Sequence, residues 1–237
     1  MTTDLAVPDR LSVPDRTWPH LERVTGAVGL AATVLIFTSV IVIGDGEPPT
    51  VATVAQAARY FHDANGAMLQ AASALFAVSL LVFLWFAVGL SQILRRAEPD
   101  PPWCSTVAQL SALLLVAFGL VSTGVEAATH RGDVIDPNLA AYAWDVGVFG
   151  FANGRLAFGG FALAVGLGAR TTGLFPRWLN WLGIIGGALL ILARFAWAYD
   201  VLWYPPYFVT WLWMLITCVL LVRRGGRPVS VTQSTAP

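Results

Sequence analysis

Apolar residues dominate six stretches of the chain, 24–43, 68–94, 105–127, 139–168, 178–199 and 207–222, and charged residues gather in the short segments between them. A bilayer's hydrocarbon core is about 30 Å thick and takes roughly 20 apolar residues wound as a helix to cross. Lipid offers the backbone no hydrogen-bond partner, so a crossing run must satisfy its own amides. The pattern therefore predicts an all-α, polytopic fold with six transmembrane helices. The first run has Arg16, His20 and Arg23 ahead of it, as a signal peptide would. It outlasts the 7–15 residues, roughly, of a signal core and passes into Gly44-Asp45-Gly46-Glu47 without a small-residue cleavage site. A retained helix is expected.

Residues 51–63 follow a different pattern. Pro48, Pro49 and a candidate N-cap at Thr50 precede them. Val51, Val54, Ala58 and Phe61 fall on one helical face, while Thr53, Gln56, Arg59 and Asp63 occupy the rest. The segment is too short and too polar to span, which predicts an extracytoplasmic helix in the membrane interface near 51–65. The ends are polar. Residues 1–20 repeat LAVPDR as LSVPDR around Pro8 and Pro14, and 225–237 have no apolar period. Both are expected to be disordered cytoplasmic tails, leaving 21–224 as one six-helix domain.

Arginine placement orients the bundle. The two tails and the second and fourth connections hold Arg10, Arg16, Arg23, Arg95, Arg96, Arg170, Arg177, Arg223, Arg224 and Arg227. The opposite side holds only Arg59 and Arg131. Six spans with this alternation predict both termini in the cytoplasm of a multi-pass cell-membrane protein.

Composition agrees. The 237 residues are 57% hydrophobic and 12% charged, half the share of about 25% usual in soluble domains. The net charge of +0 gives no pull toward nucleic acid. Every basic residue is arginine, so lysine Schiff-base and lysine-nucleophile chemistry is excluded. Cys104 and Cys218 form no CxxC, and both fall toward the reducing side, where a structural disulfide is not expected.

The stretch 141–183 ends in Pro176, Arg177, Trp178, Leu179, Asn180, Trp181, Leu182 and Gly183. It resembles a family of uncharacterised bacterial six-span membrane proteins, a domain of unknown function, whose Pro-Arg-Trp-Leu-x-Trp-Leu-Gly signature precedes the fifth helix. Asn180 stands where glycine is expected. Ala57, Tyr60, Asn65 and the LSQILRR that closes the second run belong to the same resemblance, which extends in order and length over 24–224. It implies the six-span fold in a bacterial inner membrane, and no activity or catalytic residue. Elementary chemistry also accounts for the signature. Proline suits a first helical turn, Arg177, Trp178 and Trp181 suit the headgroup level, and Gly183 with Gly187 makes GxxxG spacing for a close helix neighbour.

Four ionisable residues fall inside the predicted spans: Glu126, Asp145, Arg155 and Arg194. An arginine at mid-bilayer costs roughly 2.5–3.5 kcal/mol on insertion scales, so each should face inward and find a partner. Arg194 shares a face with Gly183, Gly187 and Leu190, with Trp197 near it; Glu126 shares one with Ala112, Gly119, Ser122 and Thr123. Gly147, Gly150 and Gly154 form a small-residue ridge, with Arg155 about 100° round from it. By rise per residue the two arginines lie near one level, and Glu126–Arg194 is the expected pair. Asp145 lies some 15 Å from Arg155 along the axis, too far for contact.

Two readings of these charges stand. They are buried ion pairs that fix helix register, or they line an outward-facing polar pocket whose arginines attract an anion. A third reading joins His62, Glu126 and His130 into a metal centre of an embedded hydrolase, with Glu126 and His130 at i,i+4 spacing. It lacks HExxH, and Arg131 sits among the ligands, so a solvated loop is the simpler account and no metal or cofactor is expected. No Walker loop, dinucleotide fingerprint or GxSxG elbow appears.

The sequence thus leads to a non-enzymatic membrane protein that binds or moves a small or lipid-like ligand, with Glu126, Asp145, Arg155 and Arg194 as the ligand-binding candidates. The alternative is a structural or partner-stabilising subunit. Membrane lipid, and a second copy in a homodimer, are the expected partners.

Overall fold

Among the described residues, six helices are long and apolar enough to cross a membrane. The structure is a computed structural model and describes residues 20–44, 46–63, 66–121, 124–131 and 134–224, without the side chains of 121–127. The expected tails lie almost wholly outside these residues. In order the helices are α1 (Leu21–Ile43), α2 (Val54–Asp63), α3 (Gly66–Ala97), α4 (Trp103–Val121), α5 (Gly124–Arg131), α6 (Pro137–Thr172), α7 (Arg177–Leu192) and α8 (Asp200–Arg224). A 3₁₀ turn, Ala193–Ala196, extends α7. The chain is a polytopic membrane protein, and α1, α3, α4, α6, α7 and α8 are its spans.

The loops meet in two groups, as an up-and-down bundle requires. Near one end Arg224 donates to the Leu174 carbonyl at 2.5 Å, and the Glu98 carboxylate accepts from the Ser105 amide at 3.0 Å. Near the other, Tyr60 donates to the Ile43 carbonyl at 2.8 Å and Thr50 donates to Asp200 at 2.7 Å. The first group is the arginine-rich end and the second the arginine-poor end.

α6 is the central post. Its 36 residues rise about 54 Å, well beyond a hydrocarbon core of about 30 Å. Asp136 caps its start by accepting from the Asn138 and Leu139 amides at 2.9 and 3.3 Å, with Pro137 in the first turn. Gly173, at φ 70, closes its far end in the left-handed conformation that glycine adopts without strain. The part beyond the lipid is covered by α2 and α5. There Ala57, Tyr60, Phe61, Leu69, Ala128, Ala140, Ala143 and Trp144 form a small separate core. The main core runs through the spans around Phe83, Phe86, Phe158, Phe161, Trp213 and Met214.

Close approach of α6 and α7 depends on two glycines that face each other. A Cβ on Gly187 would stand 2.6 Å from the Gly159 carbonyl oxygen, and one on Gly159 would stand 2.7 Å from that of Gly187. Gly183 faces α8 instead, where a Cβ would meet the Trp213 indole at 2.6 Å. The GxxxG pair therefore serves two neighbours rather than one. The tight glycines of α6 against α7 are Gly159 and Gly166, where a Cβ would stand 2.9 Å from the Asn180 carbonyl oxygen; of the expected ridge, Gly154 meets only Leu115, at an ordinary 3.4 Å.

Several expected boundaries move. The third run is described as helix over Trp103–Val121 and, beyond the undescribed residues 122 and 123, over Gly124–Arg131. The sixth span begins at Asp200, because Pro205 and Pro206 lie early enough in α8 to forfeit hydrogen bonds only to the first turn. The cap of α2 is Thr53, not Thr50. Thr53 and Gln56 exchange a capping box, with the Thr53 amide donating to Gln56 Oε1 at 2.8 Å and the Gln56 amide donating to Thr53 Oγ1 at 3.3 Å. The buried face of α2 is Ala57, Tyr60 and Phe61, while Val51 and Val54 are exposed. The reason is that α2 packs on α6 and not solely on lipid.

Candidate functional site

Arg155 is 4% exposed, at a level about 22 Å above Arg170 on the same helix. Its guanidinium carbon lies 3.8 Å from the centroid of the Trp203 ring and 4.9 Å from that of Phe151. Trp203 in turn stacks on Tyr204 at 3.9 Å and meets Tyr207 edge-on. Among the described residues no carboxylate forms a salt bridge with Arg155, and its Nη1 is buried without a hydrogen-bond partner. The ring faces supply the negative potential that a counter-ion would otherwise provide.

Asp200 holds this aromatic lid in place. Its Oδ1 accepts both from the Trp203 indole at 3.0 Å and from the Thr50 hydroxyl at 2.7 Å. The connection before α2 is thereby joined to the first turn of α8, and that turn to the buried arginine of α6.

Arg194 has a neutral partner on α6. Its Nε donates to Asn153 Oδ1 at 2.8 Å, and its guanidinium carbon lies 5.8 Å from the Phe149 centroid. The Glu126 side chain lies outside the described residues, so the expected Glu126–Arg194 pair does too. Asn153 also lines an open groove of about 490 Å³ along α6, with Phe118, Tyr142, Asp145, Val146, Phe149 and Gly150. Asp145 and Asn153 lie two turns apart on one face of the helix, about 12 Å along the axis. The groove thus has an apolar body, a carboxylate toward one end, and an amide toward the other that holds an arginine.

Of the four ligand-binding candidates, the structure associates Asp145 and Arg194 with one groove through Asn153. Arg155 is sealed behind Phe151 and Trp203, apart from the residues that line it. The metal alternative includes Glu126, whose side chain lies outside the described residues; among the described residues no three His, Cys, Asp or Glu side chains gather. His62 is exposed and pairs with Asp63 at 2.9 Å, and His130 is exposed on α5.

The signature segment behaves as its chemistry implies. Trp178 and Trp181 are exposed, Arg170 lies over the Trp181 ring at 4.5 Å, and Gly183 is buried. Asn180 is buried and its amide donates to the Phe175 carbonyl at 3.1 Å, securing the turn into α7, which a glycine could not do.

Sequence reasoning missed Asn153, Trp203, Asp200 and Thr50. Asn153 carried a usable signal, since an amide inside an apolar run needs a partner as a charge does. Trp203 and Asp200 were hidden by the paired prolines that follow them. Comparison of the chain with family models, curated proteins and solved structures finds no match.

Proposed function

We propose that the protein is a non-enzymatic integral membrane protein that binds a lipid-like ligand in the groove along α6. The carrying observation is the groove itself, about 490 Å³ of mainly apolar lining with Asp145 and Asn153 at separated heights, and Arg194 bonded to Asn153 just outside that lining. Small-ligand sites commonly combine such a body with few polar groups. With Arg170 at one membrane boundary, Asn153 stands about 25 Å above it and Tyr142 about 42 Å, so the groove straddles the opposite boundary. The apolar part of an amphiphile lies along Phe118, Val146 and Phe149, and its anionic group meets Arg194. Arginine placement supports a cytoplasmic site for both termini, which opens the groove toward the outside. The Pro176–Gly183 signature supports a bacterial inner membrane and the six-span family it resembles.

Lipid extraction of purified wild type and Arg194→Gln tests the reading. A defined amphiphile should accompany the wild type and fall at least about tenfold in the variant, the loss of one charge-assisted hydrogen bond. Equal lipid profiles would contradict it.

A second reading is favoured by Arg155. A cation sealed against Phe151 and Trp203 serves to fix how α6 and α8 meet, as a structural subunit requires. Its mark is a loss of assembly, with unchanged lipid, when Trp203 is removed.

A further inference from the structure

A second cavity, of about 500 Å³, lies where α1 and α3 end at the arginine-poor side. Val42, from the last turn of α1, lines it together with Met68 and Leu69 from the start of α3. α2 contributes Arg59, Tyr60 and Asp63, and Pro48 and Pro49 complete a stiff rim. α2 is fastened at this depth by the Tyr60 hydroxyl on the last carbonyl of α1 and by burial of Ala57 and Phe61. The cavity is therefore held where spanning helices leave the apolar layer, at the level of lipid headgroups. It is apolar where it meets the spans and charged along α2.

Arg59 and Asp63 stand one helical turn apart, at a spacing that normally allows an ion pair. No such pair is present among the described residues; Asp63 instead meets His62 at 2.9 Å. The lining thus offers one exposed guanidinium with no carboxylate on it and, a turn away, one exposed carboxylate whose Oδ1 meets His62. An anionic head would satisfy Arg59 and be repelled by Asp63, and a cationic head the reverse. A head carrying both charges satisfies both. Phosphate suits the guanidinium, which can donate two parallel hydrogen bonds to it, and an ammonium group suits the carboxylate.

We infer that this cavity binds the phospho-ammonium head of a zwitterionic phospholipid, phosphate on Arg59 and ammonium on Asp63. The site is separate from the α6 groove and does not depend on it.

Native mass spectrometry of full-length protein in the Arg194→Gln background, which removes the arginine beside the groove, tests the site. Protein is taken from vesicles of phosphatidylethanolamine and phosphatidylglycerol in equal amounts. Preferential retention of phosphatidylethanolamine is expected. Arg59→Gln should weaken that retention about tenfold, and Asp63→Asn should abolish the preference while leaving phosphatidylglycerol bound. Soluble phosphoethanolamine added as competitor identifies the source: displacement points to a free phospho-amine, and persistence to the membrane lipid, with the same chemistry in either case. Equal retention of both lipids, or retention unchanged by Arg59→Gln, would overturn the inference. Failure here leaves the groove's own test untouched, since that test reads Arg194.

Discussion

The indole of Trp203 lies against the guanidinium of Arg155, 3.8 Å from ring centroid to Cζ, and the same indole donates its N–H to Asp200 at 3.0 Å. A carboxylate thus acts on the arginine through an aromatic ring rather than by direct contact. A buried cation without a salt bridge is costly, and well-packed apolar replacements of such groups are often neutral or stabilising. Arg155→Met should therefore hold or raise the thermal midpoint in detergent. Trp203→Ala should lower stability by about 2 kcal/mol, through lost ring contacts and an uncovered cation. A strong loss in Arg155→Met would show that the guanidinium holds a ligand or a further partner.

The Gly159–Gly187 contact yields a steric test. Alanine at 187 places a methyl 2.6 Å from backbone atoms of α6, which cannot move aside as a side chain could. Gly187→Ala should sharply reduce folded yield, measured by size-exclusion of detergent-solubilised protein. Gly66→Ala is the control, since its added Cβ meets nothing nearer than 3.8 Å.

Glu47 gives a pH-dependent expectation. It lies in the connection after α1, with its carboxylate folded back toward Gly44, and burial pushes its pKa up to about 7 from 4.5. The folded protein then holds a proton that the unfolded chain releases between those values. Stability should fall as pH rises from about 4.5 through 7. The slope in that window should flatten in Glu47→Gln, followed by thermal denaturation across pH. An identical slope in both proteins would refute it. Glu47 is exposed by surface area, so water screens the effect and the slope should be shallow.

Orientation can be read with thiols. With Cys218 buried, Cys104 is the native thiol near the arginine-rich end. A membrane-impermeant maleimide should label Cys104 only in inverted vesicles. In a Cys104→Ser background, Val134→Cys, at a residue 79% exposed near the arginine-poor end, should label only in intact cells. The reverse pattern would invert the bundle.

The fold was legible because lipid imposes a single requirement, a long apolar helix, that the sequence has to display openly. All six runs have become spanning helices, and Asp136 caps α6. Details that turn on local competition were less visible. Thr50 and Thr53 have equal intrinsic claims to cap α2, and Gln56 decides between them from three residues further on. Pro205 and Pro206 suggested a loop, yet a helix tolerates proline where few preceding carbonyls need a donor. The site was half visible. Charge drew attention to Asp145, Arg155 and Arg194, whereas the groups that partner the arginines are a neutral amide and an indole. Neutral groups leave little imprint on a hydropathy pattern.

Photocrosslinking within the groove is the most direct measurement. Benzoylphenylalanine at Tyr142, which lines the groove, is compared with the same group at Trp85, which is 76% exposed on α3. A groove that selects a ligand should yield one dominant lipid mass at position 142, lost with Arg194→Gln, against a bulk mixture at position 85. The same mixture at both positions would contradict a selective site along α6.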